Sequence, residues 1–159
     1  MKIRPARNED LDAIKALLAE NELPVADVDE ALLVDFLVAE DAGGKIVGSV
    51  GLERFGRIAL LRSLATAKMA RKEGLGTRLL AHAELMARAS DVSELWLLTT
   101  TAANFFSRAG YASAERATAP VEVQGSTQFA ALCPASAVCF NKELDNFLPR
   151  GANSAQNCG

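Results

Sequence analysis

Short, nearly continuous apolar runs alternate along this chain with longer segments in which apolar residues return every three or four positions. Ile58-Ala59-Leu60-Leu61-Arg62-Ser63-Leu64-Ala65-Thr66 is apolar enough for a buried strand. Phe36 to Glu40, Ile46 to Glu53 and Leu95 to Thr100 read as strands as well. By contrast, Leu79, Leu80, Ala83, Leu85, Met86 and Ala87 fall near helical spacing through Ala89. Leu11, Ile14, Leu17 and Leu18 mark one face of an earlier helix ending at Glu20, with Asn8-Glu9-Asp10 as its capping chemistry and Pro24 as its breaker. Shorter elements fill the rest: a first strand over Lys2 to Ala6, a second short helix over Asp27 to Leu33, and turns at Asp41-Ala42-Gly43-Gly44 and Phe55-Gly56. Downstream the pattern predicts a helix over Ala102 to Ala109, a strand from Tyr111, and a loop containing Pro120, Gly125 and Ser126. One helical turn over Phe129 to Cys133 and a last strand at about Ser136 to Asn141, or slightly longer, follow. Polar residues from Asp145 onward read as a frayed tail, giving one domain over 1–144 and a flexible tail over 145–159.

Between the 58–66 run and the long helix lies Arg71-Lys72-Glu73-Gly74-Leu75-Gly76-Thr77, a glycine loop opening a helix. Such a loop presents unpaired backbone N–H groups at the positive end of the helix dipole, which suits a phosphate group. The loop lacks the G-x-G-x-x-G spacing of dinucleotide-binding folds and the G-x-x-x-x-G-K-[ST] of nucleoside-triphosphate loops. Turn geometry alone remains an alternative reading of its glycines.

Arg71-x-x-Gly74-x-Gly76 after an apolar strand resembles the acetyl-CoA loop of the GNAT superfamily of N-acetyltransferases, Gln/Arg-x-x-Gly-x-Gly/Ala. The strand at Leu95–Thr101 followed by Asn104-Phe105-Phe106-Ser107-Arg108-Ala109-Gly110-Tyr111 is similar to a second block of that family. The resemblance covers roughly residues 1–144. Leu98-Thr99-Thr100-Thr101-Ala102 with Phe105-Phe106 resembles N-acetylglutamate synthase. Phe36 to Asp41, Gly51-Leu52-Glu53, the segment 59–65 and the segment 129–139 resemble the arsenic-resistance (arsinothricin) N-acetyltransferases. That likeness implies an acyltransferase using acetyl-CoA on the α-amine of a small acidic amino acid or of its mimics arsinothricin and phosphinothricin. It further implies an α+β fold: a mixed, mostly antiparallel sheet with helices on both faces, and a splayed strand pair that receives the coenzyme. Leu64, Ala65 and Thr66 would then bond the pantetheine arm as a pseudo-strand. Arg71, Lys72, Glu73, Gly74, Leu75, Gly76 and Thr77 would hold the diphosphate, with Asn104, Phe106 and Arg108 reaching the coenzyme from the next helix.

Bulk composition agrees with this picture. The chain has 159 residues, half of them hydrophobic, and a net charge of −3, one domain's worth with a substantial core. No basic run exceeds a pair, which argues against a nucleic-acid surface. Met1-Lys2-Ile3-Arg4 leads directly into a strand, and no apolar segment reaches the roughly 20 residues of a membrane span. Three cysteines, Cys133, Cys139 and Cys158, do not make an even disulfide framework, so a cytoplasmic protein is expected. A homodimer is a further expectation, because relatives often pair through sheet edges. No Cys/His/Asp spacing suggests a metal.

Acetyl transfer to an amine needs a neutral amine, a polarised thioester carbonyl and a stabilised thiolate. Many relatives place a glutamate where this chain has Leu61 and a tyrosine where it has Phe106. Glu53 is the best remaining carboxylate for a base, against the alternative of a solvated strand-end charge. An α-amine needs less help than a lysine, since its reference pKa is about 2.5 units lower, or roughly 3.4 kcal/mol. Arg62, a cation inside an apolar strand, needs a partner. Its fork suits a substrate carboxylate, or else forms a structural ion pair with Glu53 or Glu40. Thr99 can bond substrate or coenzyme, or simply cap the next helix. Ser126, Thr127, Gln128 and Ser136 flank the segment that, by the likeness to the arsenic-resistance enzymes, would close over the substrate. Two rivals stay open: a non-catalytic acyl-CoA sensor, and an acetyltransferase of protein lysines or N-termini.

Overall fold

A computed structural model of the chain describes residues 1–144; the tail read over 145–159 lies outside the described residues. Seven strands form one sheet: β1 (Lys2–Pro5), β2 (Phe36–Glu40), β3 (Ile46–Phe55), β4 (Ile58–Thr66), β5 (Glu94–Thr99), β6 (Ala112–Ala114) and β7 (Val138–Glu143). Their spatial order is β1-β2-β3-β4-β5-β7-β6. All pairings are antiparallel except that of β4 with β5. Among the described residues four α-helices accompany the sheet: α1 (Leu11–Glu20), α2 (Leu75–Ala89), α3 (Ala103–Arg108) and α4 (Val121–Gln124). No described helix is long and apolar enough to cross a membrane.

Side-chain alternation sets the layers. Ala59 and Leu61 of β4, with Leu95 and Leu97 of β5, pack on the face covered by Leu75, Leu79, Leu80, Ala83 and Ala87 of α2. Leu60 and Trp96 point to the opposite face, where Ala119, Val123 and Phe129 cover them. On that same face Ile14, Leu17 and Leu18 of α1 cover Phe36, Val38 and Ala65. Two separate covers on one face leave an opening between the end of α1 and the segment around 128–137. Close approach fixes one glycine in β3: a Cβ on Gly51 would fall 2.1 Å from the Phe36 ring.

Several elements differ from the sequence expectation. The helix expected over Asp27 to Leu33 is a run of turns followed by a 3-10 turn over Leu32–Asp35. Asp27 turns its carboxylate to Arg62, and Asp29 accepts the Leu32 N–H at 2.9 Å. The loop expected around Pro120 contains α4, which begins directly after Pro120, a residue with no N–H of its own to place. The helical turn near Phe129 is a π-helical turn over Gln128–Leu132. The last strand starts two residues later than expected and runs on to Glu143.

Candidate active site

The opening is built from one irregularity in β4. Ser49 pairs with Ala65 and Gly51 with Arg62, so Val50 alone stands opposite both Ser63 and Leu64. Ser63 takes up the extra residue with φ +59°, a left-handed conformation that costs an L-residue about 1–2 kcal/mol. The Ser49 hydroxyl donates to the Ser63 carbonyl at 2.8 Å, and Arg62 Nε donates to Ser63 Oγ at 3.1 Å. A bulge bends its strand and sharpens the twist. Accordingly β4 pairs with β5 only over Ile58–Leu60 and Glu94–Trp96. Beyond that point β4 runs to Thr66 without a β5 partner, while β5 stays paired with β7 through Thr99.

Two cavities meet at this gap. One, of about 500 Å³, is lined by Leu64, Ala65, Thr66, Lys68, Arg71, Gly76, Phe105 and the Glu20–Glu22 end of α1. Gly74 immediately precedes α2 with φ +72° and nothing within 4 Å of where a Cβ would sit; at Gly76 a Cβ would meet only the Phe105 ring, at 3.7 Å. The two glycines therefore keep open space at the helix start. Arg71 Nη2 donates to Asn21 Oδ1 at 2.7 Å, and Asn21 Nδ2 donates to the carbonyls of Leu17 at 2.9 Å and Thr66 at 3.3 Å. Asn21 thus ties the end of α1 to the end of β4 and holds Arg71 beside the cavity. Lys72 and Glu73 belong to the 3-10 turn Lys68–Glu73 that precedes Gly74. The Leu75 side chain is fully buried in the core, and Thr77 is exposed outside the cavity. Asn104 and Arg108 are exposed on α3 and line neither cavity; Phe105 from that helix lines this one and Phe106 the other.

The second cavity, of about 370 Å³, is lined by Arg62, Ser63, Thr99, Gln128, Cys133 and Ala137 among others. Asn21, Glu22, Leu64, Thr101 and Ala102 border both cavities. Arg62 is held by two carboxylates and a hydroxyl. Nη1 and Nη2 donate to the two oxygens of Asp27, Nη1 donates also to Glu53 Oε2 at 2.7 Å, and Nε is taken by Ser63. One of the five guanidinium N–H groups is left over. Burial works against the Arg62 charge, but the carboxylates of Asp27 and Glu53 outweigh it and hold its pKa above the ordinary value. Hydrogen bonds from Arg62 keep the Asp27 carboxyl below the usual carboxylate range. Glu40, the other expected partner, pairs instead with Arg4 at 3.1 Å. Glu53 lines neither cavity and faces the second one only through Arg62.

Thr99 lines the second cavity, and its Oγ1 accepts the Ala102 N–H at 3.0 Å in the turn before α3, which has no side-chain cap. Thr127 and Ser136 are exposed and outside the cavity, whereas the residues that follow them, Gln128 and Ala137, line it. Tyr111 lies apart from both cavities, its hydroxyl donating to Glu84 Oε2 at 2.8 Å. Burial, together with the Glu84 charge, drives its pKa upward. Burial also raises the thiol of Cys133 and pushes that of Cys139 to about 11. Leu61 and Phe106 are buried and apolar, so neither position supplies a proton-transfer group.

Comparison with known proteins gives this geometry its family. A model of the acetyltransferase (GNAT) domain matches residues 33–113, from just before β2 to the start of β6. The chain belongs to the GNAT acetyltransferases. Among solved structures it is similar to N-acetylglutamate synthase from Neisseria gonorrhoeae in complex with coenzyme A and L-arginine. That match has 25% identity and a TM-score of 0.75, and covers 90% of this chain. The GNAT domain described here spans only 33% of the synthase chain. It is similar in fold to Rv2747 from Mycobacterium tuberculosis in complex with CoA and NLQ, with 22% identity, a TM-score of 0.74, and coverage of 91% of this chain and 99% of that one. PaiA N-acetyltransferase from Thermoplasma acidophilum in complex with coenzyme A shares the fold at 16% identity and a TM-score of 0.64, covering 89% and 98% of the two chains. The open space at Gly74 and Gly76, the cations Lys68 and Arg71, and the unpaired edge of β4 fit a phosphorylated, amide-bearing coenzyme.

Proposed function

We propose that this GNAT domain is an acetyl-CoA-dependent N-acetyltransferase acting on the α-amine of a small acidic amino acid or its phosphinic or arsinic mimic. The supporting observation is the joined pair of cavities. One lies where the glycine loop opens α2, the other is lined by the buried Arg62, and the unpaired part of β4 borders both. A volume of about 370 Å³ suits an amino-acid-sized acceptor. The acidic choice rests on the likeness to the arsenic-resistance enzymes and to N-acetylglutamate synthase, and on the remaining N–H of Arg62.

In this reading the loop amides at 72–77, with Lys68 and Arg71, hold the diphosphate, and the edge of β4 at Leu64, Ala65 and Thr66 orients the pantetheine. The bound thioester supplies an acetyl carbonyl open to attack and a thiolate leaving group. Backbone N–H groups of the bulged strand polarise that carbonyl. Glu53 acts by fixing Arg62, and Thr99 lines the acceptor side. Rate enhancement rests mainly on positioning. A thiol-release screen with glutamate, phosphinothricin, arsinothricin and a lysine peptide tests the proposal, and turnover confined to the amino-acid acceptors is expected. The buried, apolar Leu61 and Phe106 favour one rival, an acyl-CoA sensor. Uptake of acetyl-CoA with no thiol released by any acceptor would establish that rival instead.

A further inference from the structure

Two polar residues of the cavities have no role in the reading above. Glu22 borders both cavities, so it stands where coenzyme and acceptor sites meet. Its backbone is left-handed, with φ +58° in a non-glycine residue. It is the left-handed cap that closes α1, with the Glu22 N–H donating to the Ala19 carbonyl at 3.0 Å and the Leu23 N–H to the Leu18 carbonyl at 2.9 Å. No described group forms a side-chain hydrogen bond or ion pair with Glu22. Gln128 lines only the acceptor cavity and is 4% exposed, and its side-chain amide has no hydrogen-bond partner among the described residues. A buried amide without a partner is costly, and its two N–H donors call for an oxygen-bearing ligand group.

We propose that the acceptor lies between these two residues, its amine at Glu22 and the terminal oxygens of its side chain at Gln128. This deepens the acetyltransferase reading and rests on it. Glu22 attracts the ammonium and accepts the proton that frees the nitrogen lone pair. The nitrogen then forms the C–N bond to the acetyl carbon, and the C–S bond breaks with its electron pair on sulfur. The second nitrogen proton goes to the thiolate, giving the free thiol, and Glu22 returns its proton to solvent. The charged and titratable groups around Glu22 are Glu20, Lys68 and Arg71 on the coenzyme side, and Arg62 and Cys133 on the acceptor side. Arg62 is committed to Asp27 and Glu53, and Arg71 bonds Asn21, which leaves Glu22 as the carboxylate at the junction that no arginine holds.

The test compares Glu22→Gln and Gln128→Leu with the parent by kinetics and by thermal shift with phosphinothricin in the presence of coenzyme A. Glu22→Gln is expected to lose roughly 100-fold in kcat/KM at neutral pH, a loss that shrinks as pH rises through the acceptor's own amine pKa, with coenzyme affinity intact. Gln128→Leu is expected to keep or gain thermal stability, to raise KM at least tenfold for glutamate and phosphinothricin, and to leave alanine unaffected. A parental pH profile in Glu22→Gln, or an equal KM rise for alanine in Gln128→Leu, overturns the proposal. If the parent releases no thiol with any acceptor, the acetyltransferase reading fails while the orientation is still decided. A phosphinothricin-induced shift in the parent that both variants lose supports it, and no shift in the parent overturns it.

Discussion

At the residue scale, the two loop glycines have opposite demands. Gly74 needs its left-handed backbone, and a Cβ there meets nothing within 4 Å. Gly74→Ala should therefore cost about 1–2 kcal/mol through strain alone, measurable by urea denaturation. Gly76 is the second residue of α2, and a Cβ there makes ordinary contact with Phe105. Gly76→Ala should raise stability by about 0.5–1 kcal/mol, as read by urea denaturation, while its Cβ takes up space in the coenzyme-side cavity. Arg62 is the more severe case. Its side chain is wholly buried between two carboxylates, and breaking a buried pair typically costs 3–5 kcal/mol. Arg62→Ala should lose about that much stability, so any rise in KM must be separated from unfolding by measuring both at low temperature.

At the element scale, charged contacts pin the helices to the sheet. Arg4 of β1 donates to both oxygens of Asp10 at the start of α1, at 2.9 and 3.1 Å, and to Glu40 of β2. The hydrogen bonds from Arg4 hold the Asp10 carboxyl below its ordinary 3.8, and Asp27 is held low by Arg62 in the same way. Folding therefore favours the charged forms. Their contribution is complete above the unfolded carboxyl pKa and is lost as pH falls through the folded values. Melting temperature should be flat near neutrality and drop below about pH 4, and Asp10→Asn should flatten that acid slope. On the other face Glu84 of α2 accepts from Tyr111 and from Lys142 of β7, while Lys142 also donates to the Ala109 carbonyl at 3.0 Å. Tyr111→Phe should cost about 1–2 kcal/mol and leave the pH profile of activity unchanged, because this network borders neither cavity.

At the scale of the whole molecule, the site exists only because the sheet opens. If the coenzyme occupies the gap, coenzyme A at 100 times its Kd should stabilise the fold by about 2.7 kcal/mol, and a melt with and without it measures this. What the sequence determined by itself is local: the bounds of β2 and β4, the helix after the glycine loop, and the motifs whose family likeness in turn implied the mixed sheet. Apolar periodicity and turn chemistry act over a few residues and can be read without a fold. Only tertiary structure decided the walls of the cavities. Asp27 reaches Arg62 across 35 positions, Asn21 reaches Arg71 across 50, and nothing local marks either pair. Glu22 is an ordinary helix-end residue in sequence, and its place at the junction follows from how α1 lies across β4. Of Thr127 and Gln128, neighbours that the sequence sets side by side, only Gln128 lines the cavity, a choice made by packing. Polar residues gain a site role from which neighbours are left over after packing, and that remainder is a property of the assembled fold.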